Sequence, residues 1–191
     1  MFSIAVCDND RLDLSLILQS VESWIKQHKN IDWKVTQFLQ ADELIDTINK
    51  GKHFDLYLLD IMMPETNGIE LGRIIRKKYY DIPIIYITSY PEFALDAYGI
   101  HALRYITKPI NNKELWSALD FAYIFFCNRP IITILIKGIN SVTSVVIDDI
   151  MYIENNVRNT VYTLNNNKQI ISVRRNGSFE ESLGPLLKVP Y

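Results

Sequence analysis

Four groups of polar residues stand at the ends of apolar runs that lie far apart in the chain. One run closes in Asp8-Asn9-Asp10, a second in Asp60, a third in Thr88-Ser89 and a fourth near Lys108-Pro109. Two carboxylates with an amide between them look like part of a cation site. Clustered carboxylates repel one another, and a hard divalent cation relieves that repulsion. Mg2+ takes oxygen ligands and keeps several of its waters, so few protein carboxylates are needed. An aspartate beside such a cation can attack a phosphoryl donor and become an acyl phosphate. The cation, the Lys108 ammonium and the Thr88 hydroxyl would then stabilise the phosphoryl oxygens. Taken singly, each residue has an ordinary explanation as a turn, a helix cap or a solvated charge. Their occurrence in order at successive run ends points to a shared site.

Such residues meet only if the elements before them lie side by side. Residues 2–7, 34–39, 55–60, 82–88 and 102–107 read as strands, several of them almost continuously apolar. Between them, residues 11–28, 42–50, 67–79, 92–98 and 112–126 read as helices. In the first helix the apolar set is Leu12, Leu16, Ile17, Val21, Trp24 and Ile25, at helical spacing. Asn111 is a plausible N-cap for the last. Strands and helices alternating five times predict an α/β fold, a (βα)5 doubly wound parallel sheet covered on both faces. In that fold ligands bind at the carboxyl ends of the strands, near a topological switch point. A strand order of 2-1-3-4-5 would bring the four groups together.

The pattern changes after Asn128-Arg129-Pro130. Residues 131–136, 142–147, 150–154, 160–164 and 169–173 read as strands and 179–187 as a helix. Turn signals at Lys137-Gly138-Ile139-Asn140 and Asn165-Asn166-Asn167 separate the strands. The expected organisation is an α/β domain over 1–127, a linker over 128–130 and a mostly β module over 131–191.

Composition agrees with a two-module globular chain. Of 191 residues, 48% are hydrophobic and 22% charged, and the formal net charge is −2. Residues 1–127 hold 13 Lys and Arg against 17 Asp and Glu, whereas 128–191 hold 7 against 5. The second module is therefore the one suited to approach a polyanion. No apolar run is long enough to span a bilayer, and the start lacks a signal-peptide pattern. Two cysteines, Cys7 and Cys127, form no CxxC pair, which fits a reducing cytoplasm.

Residues 1–125 resemble the receiver domain of response regulators. LYLLDIMMPETNGIEL resembles the phosphoacceptor strand and its loop, IIYITSY the switch strand, and HALRYITKPI the last strand. The resemblance implies Asp60 as the phosphorylated residue and Mg2+ as cofactor, with Asp8, Asn9, Asp60 and the carbonyl of Met62 as the metal set. It also implies Thr88 as the switch hydroxyl, Tyr105 as the switch aromatic, Lys108 as the phosphate-binding lysine and a cis bond before Pro109. The family's second acidic position is here Asn9. An amide oxygen can ligate Mg2+ but carries no charge, so weaker Mg2+ binding is expected. Asp10 more naturally caps the first helix.

An acyl phosphate adds a charge of about −1.5 to −2. Thr88 would move toward it and vacate space for Tyr105, biasing the face of the fourth helix, fifth strand and fifth helix. On the fifth helix Leu115, Leu119, Ala122 and Phe126 form one stripe, whereas Trp116, Phe121, Tyr123 and Ile124 fall outside it. That is more apolar surface than one face needs, and it predicts a homodimer through this face.

Residues 131–191 resemble the LytTR-type DNA-binding domain around Asp148-Asp149-Ile150-Met151-Tyr152-Ile153-Glu154. The final strands of that family have no counterpart before Tyr191, so the module reads as C-terminally incomplete. The resemblance places Lys137 and Asn140 in a first DNA-facing hairpin and Asn155, Asn156 and Arg158 in a second loop. Asn suits adenine edges, and Arg suits guanine or phosphate.

The expected function is a cytoplasmic two-component response regulator, phosphorylated by a sensor histidine kinase and controlling transcription through DNA. An alternative is a receiver without DNA output, acting as a phosphate sink or as a dimerisation partner of full-length regulators. A third class, a phosphatase forming an aspartyl phosphate, has Met62 where its second aspartate should stand.

Overall fold

Five strands form one parallel sheet in the order β2-β1-β3-β4-β5. The computed structural model describes residues 1–28, 32–129, 132–138, 141–156 and 159–173. The chain divides into two compact units, with the break after Asn128. The first unit alternates β1 (Phe2–Cys7), α1 (Arg11–Gln27), β2 (Trp33–Phe38), α2 (Ala41–Asn49), β3 (Leu56–Leu59) and α3 (Gly68–Lys78). It continues through β4 (Ile84–Thr88), α4 (Ala94–Gly99), β5 (Arg104–Thr107) and α5 (Asn112–Cys127). The continuous apolar runs of β1, β3 and β4 are buried on both faces, as a helix-covered parallel sheet requires.

Alternating side chains feed two cores. Ala5, Cys7, Tyr57, Leu59 and Tyr86 pack with α2 and α3. Ile4, Val6, Leu58, Ile85 and Ile87 pack with α1 and α5. In α1 the buried stripe is Leu14, Ile17, Val21 and Trp24. Leu12 and Leu16, expected on the apolar face, are exposed instead. Two neighbouring apolar stripes both satisfy helical spacing, and only contact with β1 and α5 selects one of them. The reverse holds in α5. Trp116 and Tyr123, read as outside the stripe, pack against the second core, and the Trp116 indole donates to the Ser20 carbonyl at 3.1 Å.

The fourth helical segment is shorter than its residues suggest. A 3-10 turn over Pro91–Phe93 precedes α4, which has only six residues. Its C-terminal end is held by Arg76 of α3. The guanidinium donates to the carbonyls of Ile82, Ile100 and His101, the last two at 2.9 and 3.0 Å. Arg76→Ala leaves these carbonyls without a charged donor and is expected to cost about 3 kcal/mol, read as a lower urea midpoint at unchanged slope.

The second unit holds β6 (Thr133–Lys137), β7 (Val142–Val146), β8 (Ile150–Asn155), β9 (Asn159–Leu164) and β10 (Gln169–Val173). β6 and β7 form an antiparallel pair, and β10-β9-β8 form an antiparallel sheet. β6 alternates strictly, with Ile134 and Ile136 inward. These two join Val145, Tyr162 and Leu164 in a small core. The helix expected over 179–187 lies outside the described residues, as do Asn140 and Arg158. Among the described residues, no helix is long and apolar enough to cross a membrane.

Candidate functional site

The β1–α1 turn is built by a relay of hydrogen bonds. The Asp8 carboxylate accepts from the Asp10 amide at 2.9 Å. The Asp10 carboxylate, as N-cap, accepts from the amides of Leu12 and Asp13 at 2.7 and 3.1 Å. These bonds satisfy orphan donors of α1 and fix Asp8 under the turn, where it is fully buried. β1 and β3 are neighbours, so Asp60 emerges beside it, its amide bonded to the Cys7 carbonyl at 2.9 Å.

Lys108 enters from the end of β5, before a cis bond to Pro109. Its ammonium lies 2.8 Å from Asp8, 2.7 Å from Asp13 and 3.7 Å from Asp60. The Lys108 amide donates to the Thr88 carbonyl at 2.8 Å, which ties the ends of β4 and β5 together. Burial works against the charged lysine, but hydrogen bonds to Asp13 and Asp8 outweigh it and hold its pKa above the ordinary value. Burial raises the Asp8 carboxyl above the usual carboxylate value, against the hydrogen bonds from Lys108 and the Asp10 amide.

The Thr88 hydroxyl oxygen is buried without a hydrogen-bond partner. A buried polar group left unmatched commonly marks a place where a ligand or water completes the set. Tyr105 is half-buried, its hydroxyl donating to the Tyr90 carbonyl in the loop that follows β4. Asn9 is exposed and lines a cleft of about 570 Å3 with Arg11, Gln40, Asp42, Pro64 and Glu65. Met62 is exposed in the β3–α3 loop.

Chemically, this pocket can hold a small hard cation and an anion together. Among the described residues no group of three or more His, Cys, Asp and Glu is placed to hold a metal ion. Mg2+ does not need one, because it retains waters and binds through one or two carboxylates. Asp8 and Asp60 supply hard oxygens of that kind, and the unmatched Thr88 hydroxyl and the Lys108 ammonium could serve an anion beside it.

A family model described as the response regulator receiver domain matches residues 4–120. The chain belongs to that family. An uncharacterized response regulatory protein of Staphylococcus epidermidis is 30% identical to this receiver chain over 132 residues, 68% of this chain and 50% of the relative. The sensory transduction protein LytT of Bacillus anthracis is 31% identical over 79 residues, 41% of this chain and 32% of LytT. The chain thus spans about half or less of the length of these curated relatives. Among solved structures, the BeF3-activated receiver domain of DrrB matches with 28% identity and a TM-score of 0.53, covering 65% of this chain and 98% of that one. The matched family and these relatives are described as response-regulatory and sensory-transduction proteins.

One receiver-pocket residue was not among the sequence candidates. Asp13 makes the shortest ion pair to Lys108. The signal was its place one turn into α1, three residues after the cap Asp10, at the same helix end as Asp8. In the second unit Lys137, Asn155 and Asn156 are exposed, and the Asn156 amide bonds the Asn159 carbonyl at 2.8 Å across the β8–β9 connection.

Proposed function

We propose that this chain is a cytoplasmic two-component response regulator whose Asp60 accepts a phosphoryl group from a sensor histidine kinase. Its second unit would be a LytTR-type module that controls transcription by binding DNA. The observation that carries the first part is the Lys108 ammonium among Asp8, Asp13 and Asp60, with the unmatched Thr88 hydroxyl at the end of the strand next to β3.

An Asp60 carboxylate oxygen forms the new P–O bond as the P–N bond of a phosphohistidine breaks and the imidazole leaves with its electron pair. Bound at Asp8, Asn9, Asp60 and the Met62 carbonyl, Mg2+ would neutralise charge on the transferring phosphoryl group. Lys108 then leaves Asp13 for the phosphoryl oxygens, and the Thr88 hydroxyl donates to one of them. Drawing the β4 end inward loosens the loop that holds the Tyr105 hydroxyl through the Tyr90 carbonyl. Tyr105 turns into the space released. The affected face carries Leu95 and Tyr98 of α4 and Phe121 and Ile124 of α5, all exposed. Such an apolar patch suits a homodimer tightened by phosphorylation.

The resemblance of residues 131–191 to LytTR and the kinship with LytT support the DNA-binding reading. Lys137, Asn140, Asn155, Asn156 and Arg158 are the proposed contacts. The test is labelling of the chain by a small phosphodonor in the presence of Mg2+. The parent is expected to take up one phosphoryl group, sediment as a dimer and shift DNA at low salt, with Asp60→Ala doing none of these on phosphodonor addition. Equal labelling of Asp60→Ala would remove the phosphoacceptor assignment. Labelling without any DNA shift at low salt would favour a receiver without DNA output.

A further inference from the structure

We propose that Asp13 is a positioning residue of the phosphoacceptor pocket, drawing the Lys108 ammonium toward α1 and away from Asp60 and supplying the negative charge that Asn9 lacks. This rests on the reading of Asp8 and Asp60 as cation ligands.

Three observations converge on Asp13. Its carboxylate is 2.7 Å from the Lys108 ammonium, against 3.7 Å for Asp60. The lysine thus leans toward α1 and away from the phosphoacceptor. Second, Asp13 is fixed relative to Asp8 by the relay through Asp10, whose carboxylate takes the Asp13 amide and whose own amide bonds Asp8. Third, the pocket needs the charge. Without Asp13, two carboxylates, Asp8 and Asp60, face one ammonium, and the exposed Asn9 adds no charge. With it, three carboxylates face one ammonium, which leaves a surplus to attract a divalent cation.

A carboxylate in the first turn of a helix is favoured by the helix dipole alone. The dipole does not account for the side chain reaching a lysine from β5 that is almost wholly buried. Both consequences of removing Asp13 have the same sign. The pocket loses a negative charge, and Lys108, already 2.8 Å from Asp8, is free to close on Asp60 as well, where it competes with the cation.

The test is calorimetric titration of the full chain with Mg2+, with thermal melting in the absence of Mg2+ to check that each variant is folded. Asp13→Asn keeps the shape of the side chain and is expected to weaken Mg2+ binding about tenfold, in the range seen when groups orienting metal ligands are removed. Asp13→Glu is expected to bind nearly as the parent does. Adding Asn9→Asp to Asp13→Asn should restore the affinity, which a merely structural role for Asp13 would not allow. Unchanged affinity in Asp13→Asn, with Asp8→Asn abolishing binding, overturns the role of Asp13 and leaves the cation site standing. Unchanged affinity in both variants overturns the cation site and the proposal together. Weakened binding that Asn9→Asp fails to restore also overturns the proposal.

Discussion

Lys108→Met is expected to lower folding stability by about 3–5 kcal/mol near pH 7, the cost of leaving a buried charge without its partner. The methionine keeps the length and the apolar stem of lysine, so the loss is mainly electrostatic. Asp8 is fully buried, and the lysine is its closest cation at 2.8 Å. Asp13 and Asp60 crowd the same place. Removing the ammonium leaves three carboxylates facing one another.

The pH dependence distinguishes this cause from lost packing. Burial holds the folded Asp8 carboxyl above its unfolded value, while Lys108 and the Asp10 amide pull it down. A carboxyl raised on folding binds its proton more tightly in the folded state. Its contribution therefore favours folding at low pH and is lost as pH rises through the folded value. Without Lys108 the folded Asp8 value climbs further, so the variant gains more from acidification than the parent does. The stability gap should be widest near neutrality and narrow as the pH falls. Lys108 behaves in the opposite window. Its folded value lies above the ordinary 10.5, so its contribution is complete below about that pH and is lost as pH rises through the folded value. The parent should weaken in that alkaline range, and the variant should not share this loss. Urea unfolding across pH reads both effects, and a gap constant from acid to neutral pH would contradict the assignment.

Much of the first unit was legible because its signals are redundant. Nearly continuous apolar runs such as 55–60 and 82–88 cannot be half-exposed strands, and helical spacing between them leaves a helix-covered parallel sheet as the consistent arrangement. The strand-end residues Asp8, Asp60 and Lys108 follow from that topology, and the fold brings them together. What was not legible depends on contacts rather than on pattern. Leu12 and Leu16 satisfy helical spacing as well as Leu14 and Ile17 do, yet they face solvent. Tyr123 looks surplus on α5 until Phe2, Trp24 and Trp33 appear opposite it, and Trp116 until Ser20 accepts its indole N–H. Asp13 is an ordinary first-turn acid in sequence, and only the reach of Lys108 from the end of β5 gives it a partner. The 3-10 turn before α4 starts at Pro91, a residue as well suited to the first position of an α-helix, so the sequence does not tell the two apart.

Gly68→Ala is expected to destabilise the first unit by about 3 kcal/mol, at the upper end of ordinary overpacking costs. The same change should slow phosphoryl labelling on the order of a hundredfold, as a misplacement of about 1 Å can. The first turn of α3 lies against the end of β3, with the Gly68 amide on the Ile61 carbonyl at 2.8 Å. A methyl at this position would stand 1.9 Å from the Asp60 carbonyl oxygen and 2.9 Å from the Ile61 Cα. These are backbone atoms, so the clash cannot be relieved by a rotamer change. α3 is also held in place by the buried Tyr86 hydroxyl, which donates to the Gly68 carbonyl at 2.9 Å. The strain must therefore move Asp60 itself. Two other glycines calibrate the effect. Gly72→Ala would meet the Tyr86 hydroxyl at 2.1 Å and the end of Ile100 at 2.6 Å; the isoleucine can shift, but the buried tyrosine can do so only by giving up the Gly68 carbonyl. It should destabilise the unit too, but slow labelling less than Gly68→Ala, because no backbone atom of Asp60 stands in its way. Gly99→Ala, at the end of α4, has nothing within 4 Å and should be neutral or slightly stabilising. Urea midpoints and initial labelling rates for the three variants test the ordering. If Gly68→Ala folds and labels like Gly99→Ala, the close approach of α3 to β3 is not what holds the phosphoacceptor in place.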